Sequence, residues 1–155
     1  MSHLFPRAVY QGIETVITSL GHVPHGIVSQ NAHSQISRAL EAAGLLNHFR
    51  YIVGYEEVDL RKQKPEPDGL LLCIEKLTRS APGVVFYIGD HETDIETAAN
   101  ANRALRQDGS PIQVITIAAQ YGGTTGAHEW AQKPDYVATV PLEIIGIVQS
   151  FTSNT

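Results

Sequence analysis

The stretch Val84-Val85-Phe86-Tyr87-Ile88-Gly89-Asp90-His91-Glu92-Thr93-Asp94 constrains this chain more than any other. Five consecutive apolar residues, rich in β-formers, stop abruptly at Gly-Asp, and a second aspartate follows four residues on. Such a run is far too short to span a membrane and suits a strand buried on both faces, as parallel sheets require. Ile95-Glu96-Thr97-Ala98-Ala99-Asn100-Ala101 then returns to helical composition. The segment therefore predicts a strand, a loop holding acids, and a helix. In open α/β sheets the loops at the carboxyl ends of the strands form ligand sites, and carboxylates there suit a hard cation such as Mg²⁺. The plainer role for Asp90 is to cap the helix.

Composition narrows the class of partner. A formal net charge of −5 without a Lys/Arg cluster argues against a nucleic-acid footprint or an anionic membrane surface, and for a small molecule. A chain of 155 residues predicts one domain over 1–155, led by an arm over residues 1–11. Cys73 is the sole cysteine, so no intrachain disulfide forms, and its setting in Leu70-Leu71-Leu72-Cys73-Ile74 reads as a core thiol. No basic and apolar leader opens the chain, and no apolar stretch approaches about 18 residues, so the default expectation is a cytoplasmic protein.

Strand and helix signals alternate along the whole chain. Ile13, Val16, Ile17 and Leu20 recur at helical spacing, with Gly21 ending that helix. Gly26-Ile27-Val28-Ser29-Gln30 reads as a short strand, residues 32–43 as a helix stopped by Gly44, and residues 51–55 as another strand. Pro65 and Pro67 exclude helix in the polar loop carrying Arg61, Lys62 and Lys64, and open one over residues 68–77. Residues 113–118 and 136–139 read as later strands, 121–126 as a flexible loop, and Pro141 as the N1 residue of a closing helix that reaches Phe151. This alternation predicts a doubly wound parallel sheet with helices on both faces.

Three strand ends then carry polar groups able to converge: Ser29, Lys64, and Asp90 with Asp94. A hydroxyl and backbone N–H groups at a helix start hold phosphoryl oxygens, a lysine neutralises them, and carboxylates hold Mg²⁺ opposite. The plainer readings are a helix cap for Ser29 and a solvated surface charge for Lys64. His91 reads as an exposed loop residue, Trp130 as a packing lid, and the scattered histidines lack paired metal-ligand spacing.

The order of these motifs resembles the haloacid dehalogenase superfamily, in its phosphoglycolate phosphatase-like branch, over nearly the whole chain. Gly26-Ile27-Val28-Ser29-Gln30-Asn31 is similar to the family's second motif, Lys64-Pro65-Glu66-Pro67 to its third and Gly89-Asp90-His91-Glu92-Thr93-Asp94-Ile95 to its fourth. Supporting matches are Ala42-Ala43-Gly44-Leu45-Leu46 with Phe49, Ala98-Ala99 with Asn102, and Pro134-Asp135-Tyr136-Val137. The resemblance implies a Rossmann-type core and a Mg²⁺-dependent phosphatase of small phosphomonoesters. It implies phosphate binding by Ser29, Gln30 and Lys64, with Ser29 and Lys64 catalytic, and metal binding by Asp90 and Asp94.

The family's nucleophile is an aspartate on the first strand, yet the first aspartate here is Asp59. The resemblance therefore implies a core incomplete at its N-terminal strand, without its cap and impaired in catalysis. That strand belongs between the strands ending at Ser29 and Asp90. Unpaired backbone there is costly and invites association. Three outcomes are expected: direct closure of the sheet, a strand from another chain or a second copy, or poor stability. The rival functions are a haloacid dehalogenase, which needs no Mg²⁺, and a non-catalytic phosphate- or metal-binding module.

Overall fold

A computed structural model describes residues 12–121 and 126–152. The expected arm and the centre of the expected glycine loop, residues 122–125, lie outside them. Within them the order of elements is α1 (Ile13–Ser19), β1 (Gly26–Val28), α2 (His33–Ala42), β2 (Tyr51–Val53), α3 (Asp68–Thr78), β3 (Gly83–Gly89), α4 (Glu92–Gln107), β4 (Ile112–Ala119), β5 (Tyr136–Ala138) and α5 (Glu143–Thr152). The strand and helix alternation expected from the sequence is present, and every strand pairing is parallel. Residues 54–55, expected to prolong a strand, instead enter a short 3₁₀ turn over Tyr55–Glu57. Pro141 precedes α5 rather than opening it.

Local chemistry sets the helix ends. Gly44 and Gly109 adopt φ of 73° and 69°, a conformation that side chains disfavour and that closes α2 and α4. Past Gly44, the Leu45 N–H returns to the Leu40 carbonyl at 2.8 Å, and past Gly109 the Ser110 N–H returns to Leu105 at 2.9 Å.

Among the described residues the strands form two parallel sheets, parted between β1 and β3. β1 pairs with β2, and β3, β4 and β5 pair in that order. Helices span both pieces. On one face α3 and α4 bury Leu70, Ile74, Ala98, Ala101 and Leu105 against Tyr87 and Val114, with Val28 of β1 packed on the same cluster. On the other face α1 sends Val16 and Leu20 to a cluster with Ile117, Ile144 and Val148, while Ile17 packs with Ile36 and Leu40 near Ile27 and Ile52. β1 and β3 therefore lie under shared helices without pairing, so direct closure of the sheet is not adopted among the described residues.

Among the described residues no strand pairs with the side of β3 away from β4, and β3 itself is apolar. Alternation puts Val84, Phe86 and Ile88 on one face. Phe86 packs edge-on against Phe151 at 5.1 Å, whereas Val84 and Ile88 remain 40% and 42% exposed. The far edge of β4 is treated differently. Val114 exchanges two 2.9 Å hydrogen bonds with the Asn102 amide, and Thr116 N–H donates to Asp135 at 2.9 Å, before β5 takes over the pairing. No described helix is long and apolar enough to cross a membrane.

Candidate active site

The site gathers at the carboxyl ends of β1 and β3. Ser29 follows β1 directly, and its N–H continues the ladder to the Val53 carbonyl at 2.9 Å. Its Oγ accepts the Asn31 N–H at 3.0 Å. Ala32, not Ser29, stands at the start of α2, so the simple helix-cap reading of Ser29 does not hold. Gln30 is exposed beside it.

A second loop clamps this turn. The Tyr55 N–H donates to the Asn31 carbonyl at 3.0 Å, and the His33 N–H donates to Glu56 Oε1 at 2.9 Å. Glu57 Oε1 accepts the Gly54 N–H at 2.9 Å and lies 2.7 Å from His33 Nδ1. Burial pushes the Glu57 carboxyl up, but the His33 and Gly54 hydrogen bonds outweigh it and hold the group below its ordinary value. Glu57 carried no motif signal; only the contact across 24 residues of sequence exposes its part.

Lys64 is not a solvated surface charge. Its loop is pinned by Gln63 Nε2, which donates to the Tyr55 and Val58 carbonyls at 3.1 and 2.8 Å, and by Asn100, which donates to the Pro65 carbonyl at 2.9 Å. The Lys64–Pro65 peptide is cis. The ammonium reaches Asp94 Oδ1 at 2.6 Å with only 16% of its side chain exposed, and it sits 5.5 Å from the Tyr87 ring centroid. Burial alone would lower its pKa, but the Tyr87 hydroxyl and Asp94 carboxylate beside it raise it above the usual lysine value. Val28, Ser29, Gln30, Lys62, Gln63 and Lys64 line a cleft of about 250 Å³ that includes its open mouth.

The acids sit on two adjoining elements. Asp90 follows β3 and lies 2.7 Å from His91 Nδ1, while Asp94 belongs to the first turn of α4 rather than to the loop expected from the sequence. Asp94 Oδ2 also accepts the His91 N–H at 3.3 Å, and both Asp94 and Glu92 favour the positive end of the helix. His91 is exposed, as expected. Ligand atoms of Asp90, His91 and Asp94 lie within 4.8 Å of one another, with two carboxylates of the kind a hard cation takes. Glu92 accepts the Gln132 N–H at 3.1 Å and so ties the segment bearing half-buried Trp130 to this loop. Tyr87, read from the sequence only as a strand residue, forms part of the floor.

Parallel strands layered with helices, and a serine, a lysine and two aspartates gathered beyond their carboxyl ends, define the class as a Rossmann-type α/β core. Residues 6–105 match the haloacid dehalogenase-like hydrolase family, and the chain belongs to that family. It is 30% identical over 100 residues to the phosphoglycolate phosphatase of Escherichia coli K12, covering 64% of this chain and 36% of that enzyme. It is 27% identical over 144 residues to the pyrophosphatase PpaX of Oceanobacillus iheyensis, covering 93% and 59%. Among solved structures, a haloacid dehalogenase-like hydrolase from Bacteroides fragilis superposes with a TM-score of 0.69 at 29% identity over 84% of this chain and 57% of its own. A HAD-superfamily hydrolase from Ehrlichia chaffeensis shares the fold with a TM-score of 0.68 at 16% identity, over 92% and 58%. The chain thus spans less than two thirds of each of these relatives.

Proposed function

We propose that this chain carries, as one domain, the phosphate and metal half of a Mg²⁺-dependent hydrolase of small phosphomonoesters. The observation that carries the reading is the 2.6 Å pair between Lys64 and Asp94, which joins the phosphate-side loop to the acid loop across the ends of β1 and β3. Ser29 donates its hydroxyl, with backbone N–H groups and the Gln30 amide, to phosphoryl oxygens. Lys64 has three protons to donate, one of which Asp94 takes. Asp90 and Asp94 offer hard oxygens that fit Mg²⁺, a cation that takes one or two carboxylates and completes its shell with water and phosphate. Bound there, Mg²⁺ supplies charge neutralisation at the phosphoryl group. Those two carboxylates favour this chemistry over a metal-free dehalogenase. The names of the phosphoglycolate phosphatase and pyrophosphatase relatives support a small phosphorylated substrate.

The site's own acids do not include the nucleophile. No aspartate precedes Asp59, and Asp90 and Asp94 are committed to the cation. We assign the nucleophile to a further parallel strand seated between β1 and β3, contributed by polypeptide outside these 155 residues, whether joined to them or a strand-donating partner. The shared helical layers and the uncovered Val84 and Ile88 support such an occupant. Without it, the same residues make a module that binds phosphate and metal without turnover. A cytoplasmic site of action belongs to the same proposal.

The test is hydrolysis of a panel of small phosphomonoesters, including 2-phosphoglycolate, by the natural polypeptide whose intact mass has been measured. Turnover that needs Mg²⁺ and vanishes in Asp90→Asn is expected. Turnover indifferent to both overturns the proposal. Mg²⁺-dependent phosphate binding without turnover selects the binding module.

A further inference from the structure

The floor of the site holds a polar atom with no assigned work. Tyr87 is 9% exposed, and its hydroxyl makes no hydrogen bond of normal geometry among the described residues. Phenylalanine would fill the same space among Leu70, Ile74 and Ala98 without burying an orphan hydroxyl. The Lys64 ammonium stands 5.5 Å from the centre of the Tyr87 ring that bears this hydroxyl, and pairs with Asp94 Oδ1 at 2.6 Å.

These positions conflict with a loaded site. A dication held by Asp90 and Asp94 draws on the carboxylate that now holds Lys64 and repels an ammonium beside it. Lys64 then needs a second acceptor, and the buried tyrosine oxygen is available without a change in the fold. We propose that Tyr87 is a positioning residue whose hydroxyl oxygen takes over the Lys64 ammonium when Asp94 turns to a divalent cation. Lys64 keeps its place over the tyrosine ring, and its two other ammonium protons are left for phosphoryl oxygens. This rests on reading Asp90 and Asp94 as the metal carboxylates.

The experiment is a calorimetric Mg²⁺ titration of the wild-type chain, Tyr87→Phe, Lys64→Met and the double variant, with thermal melts in EDTA. Tyr87→Phe is expected to melt no lower than wild type in EDTA, yet to bind Mg²⁺ roughly tenfold to a hundredfold more weakly, the worth of one hydrogen bond to a charged group. In the Lys64→Met background the same change is expected to leave Mg²⁺ affinity unaltered, which a merely structural role would not produce. Equal Mg²⁺ affinity of wild type and Tyr87→Phe overturns the role of Tyr87 and leaves the metal reading standing. A wild-type chain that binds no Mg²⁺, or binds it equally in Asp94→Asn, overturns the metal reading and this proposal with it.

Discussion

Asp94 packs against the bare Cα of Gly89: a Cβ at position 89 would lie 2.4 Å from both Cβ and Oδ2 of Asp94. The glycine is required here by space, because the last residue of β3 and the first turn of α4 touch through this carboxylate. Gly89→Ala must push Asp94 away from Lys64 and from the His91 N–H. We expect a destabilisation of about 1–3 kcal/mol in urea unfolding, as for other overpacked sites, with loss of Mg²⁺ binding. A variant as stable as wild type that still binds Mg²⁺ would show that Asp94 is free to move.

Asn102 is the seam between α4 and β4. Its amide gives to the Val114 carbonyl and takes from the Val114 N–H, both at 2.9 Å, at the stretch of the β4 edge that β5 does not reach. Asn102→Ala leaves both backbone groups without their partners. The expected loss is about 2–4 kcal/mol, read from the urea midpoint at unchanged slope. A loss under about 0.5 kcal/mol would mean that water replaces the amide at no cost.

Acid should loosen the clamp around Ser29. The Glu57 carboxyl is depressed below its ordinary value of 4.5, so its stabilising contribution is complete above that value and is lost as pH falls through the lower, folded value. Glu57→Gln retains an acceptor for the Gly54 N–H but removes the titration. Thermal melts of the two proteins should converge as pH drops below 4.5 and diverge above it, with wild type the more stable. Parallel curves across that range would assign the acid limb to other groups, Glu143 among them.

Much of this architecture is legible along the chain, because local signals suffice for it. The Val84–Ile88 run, the glycine stop at Gly44, and the Lys64 and Asp90 contexts each act within a few residues. What the sequence hides depends on distant partners. Residues 54–55 leave the strand path because Gly54 and Glu57 close a turn onto His33, which no periodicity reveals. Ser29 and Lys64 each have a bland local reading, as a helix cap and a surface charge, and only the start of α2 after Ala32 and the pairing with Asp94 decide against it. The parting between β1 and β3 shows in the sequence only through the absent first motif, since both strands carry ordinary strand signals.

Cys73 faces the tight contact between α3 and β1, 3% exposed, and burial pushes its thiol up to about 12. Thiolate is the reactive form, so the native protein should resist thiol reagents at neutral pH. Labelling should become complete on unfolding in guanidinium, with native labelling slower by a factor that follows the opening equilibrium. Rapid labelling of the native chain would mean that α3 lifts from β1 readily.

The two aspartates of the acid loop should separate cleanly when replaced one at a time. Asp94 is 11% exposed at its side chain and holds both Lys64 and the His91 N–H, so Asp94→Asn strips a buried ammonium of its counter-charge. We expect a loss of about 3 kcal/mol, in the range for breaking a buried pair from one side. Asp90 faces His91 across a pair whose side chains are 29% and 57% exposed, and Asp90→Asn should cost under about 1 kcal/mol. Mg²⁺ supplies the second axis. At a concentration near 100 times its dissociation constant it should raise wild-type stability by about 2.7 kcal/mol, and neither variant should show that increment. The informative pattern is therefore two variants unequal without the cation and alike in their indifference to it. Equal stability losses would mean that Lys64 is shared between the two acids, and an Mg²⁺ increment retained in Asp90→Asn would remove Asp90 from the metal site and leave Asp94 to hold the cation through its own two oxygens.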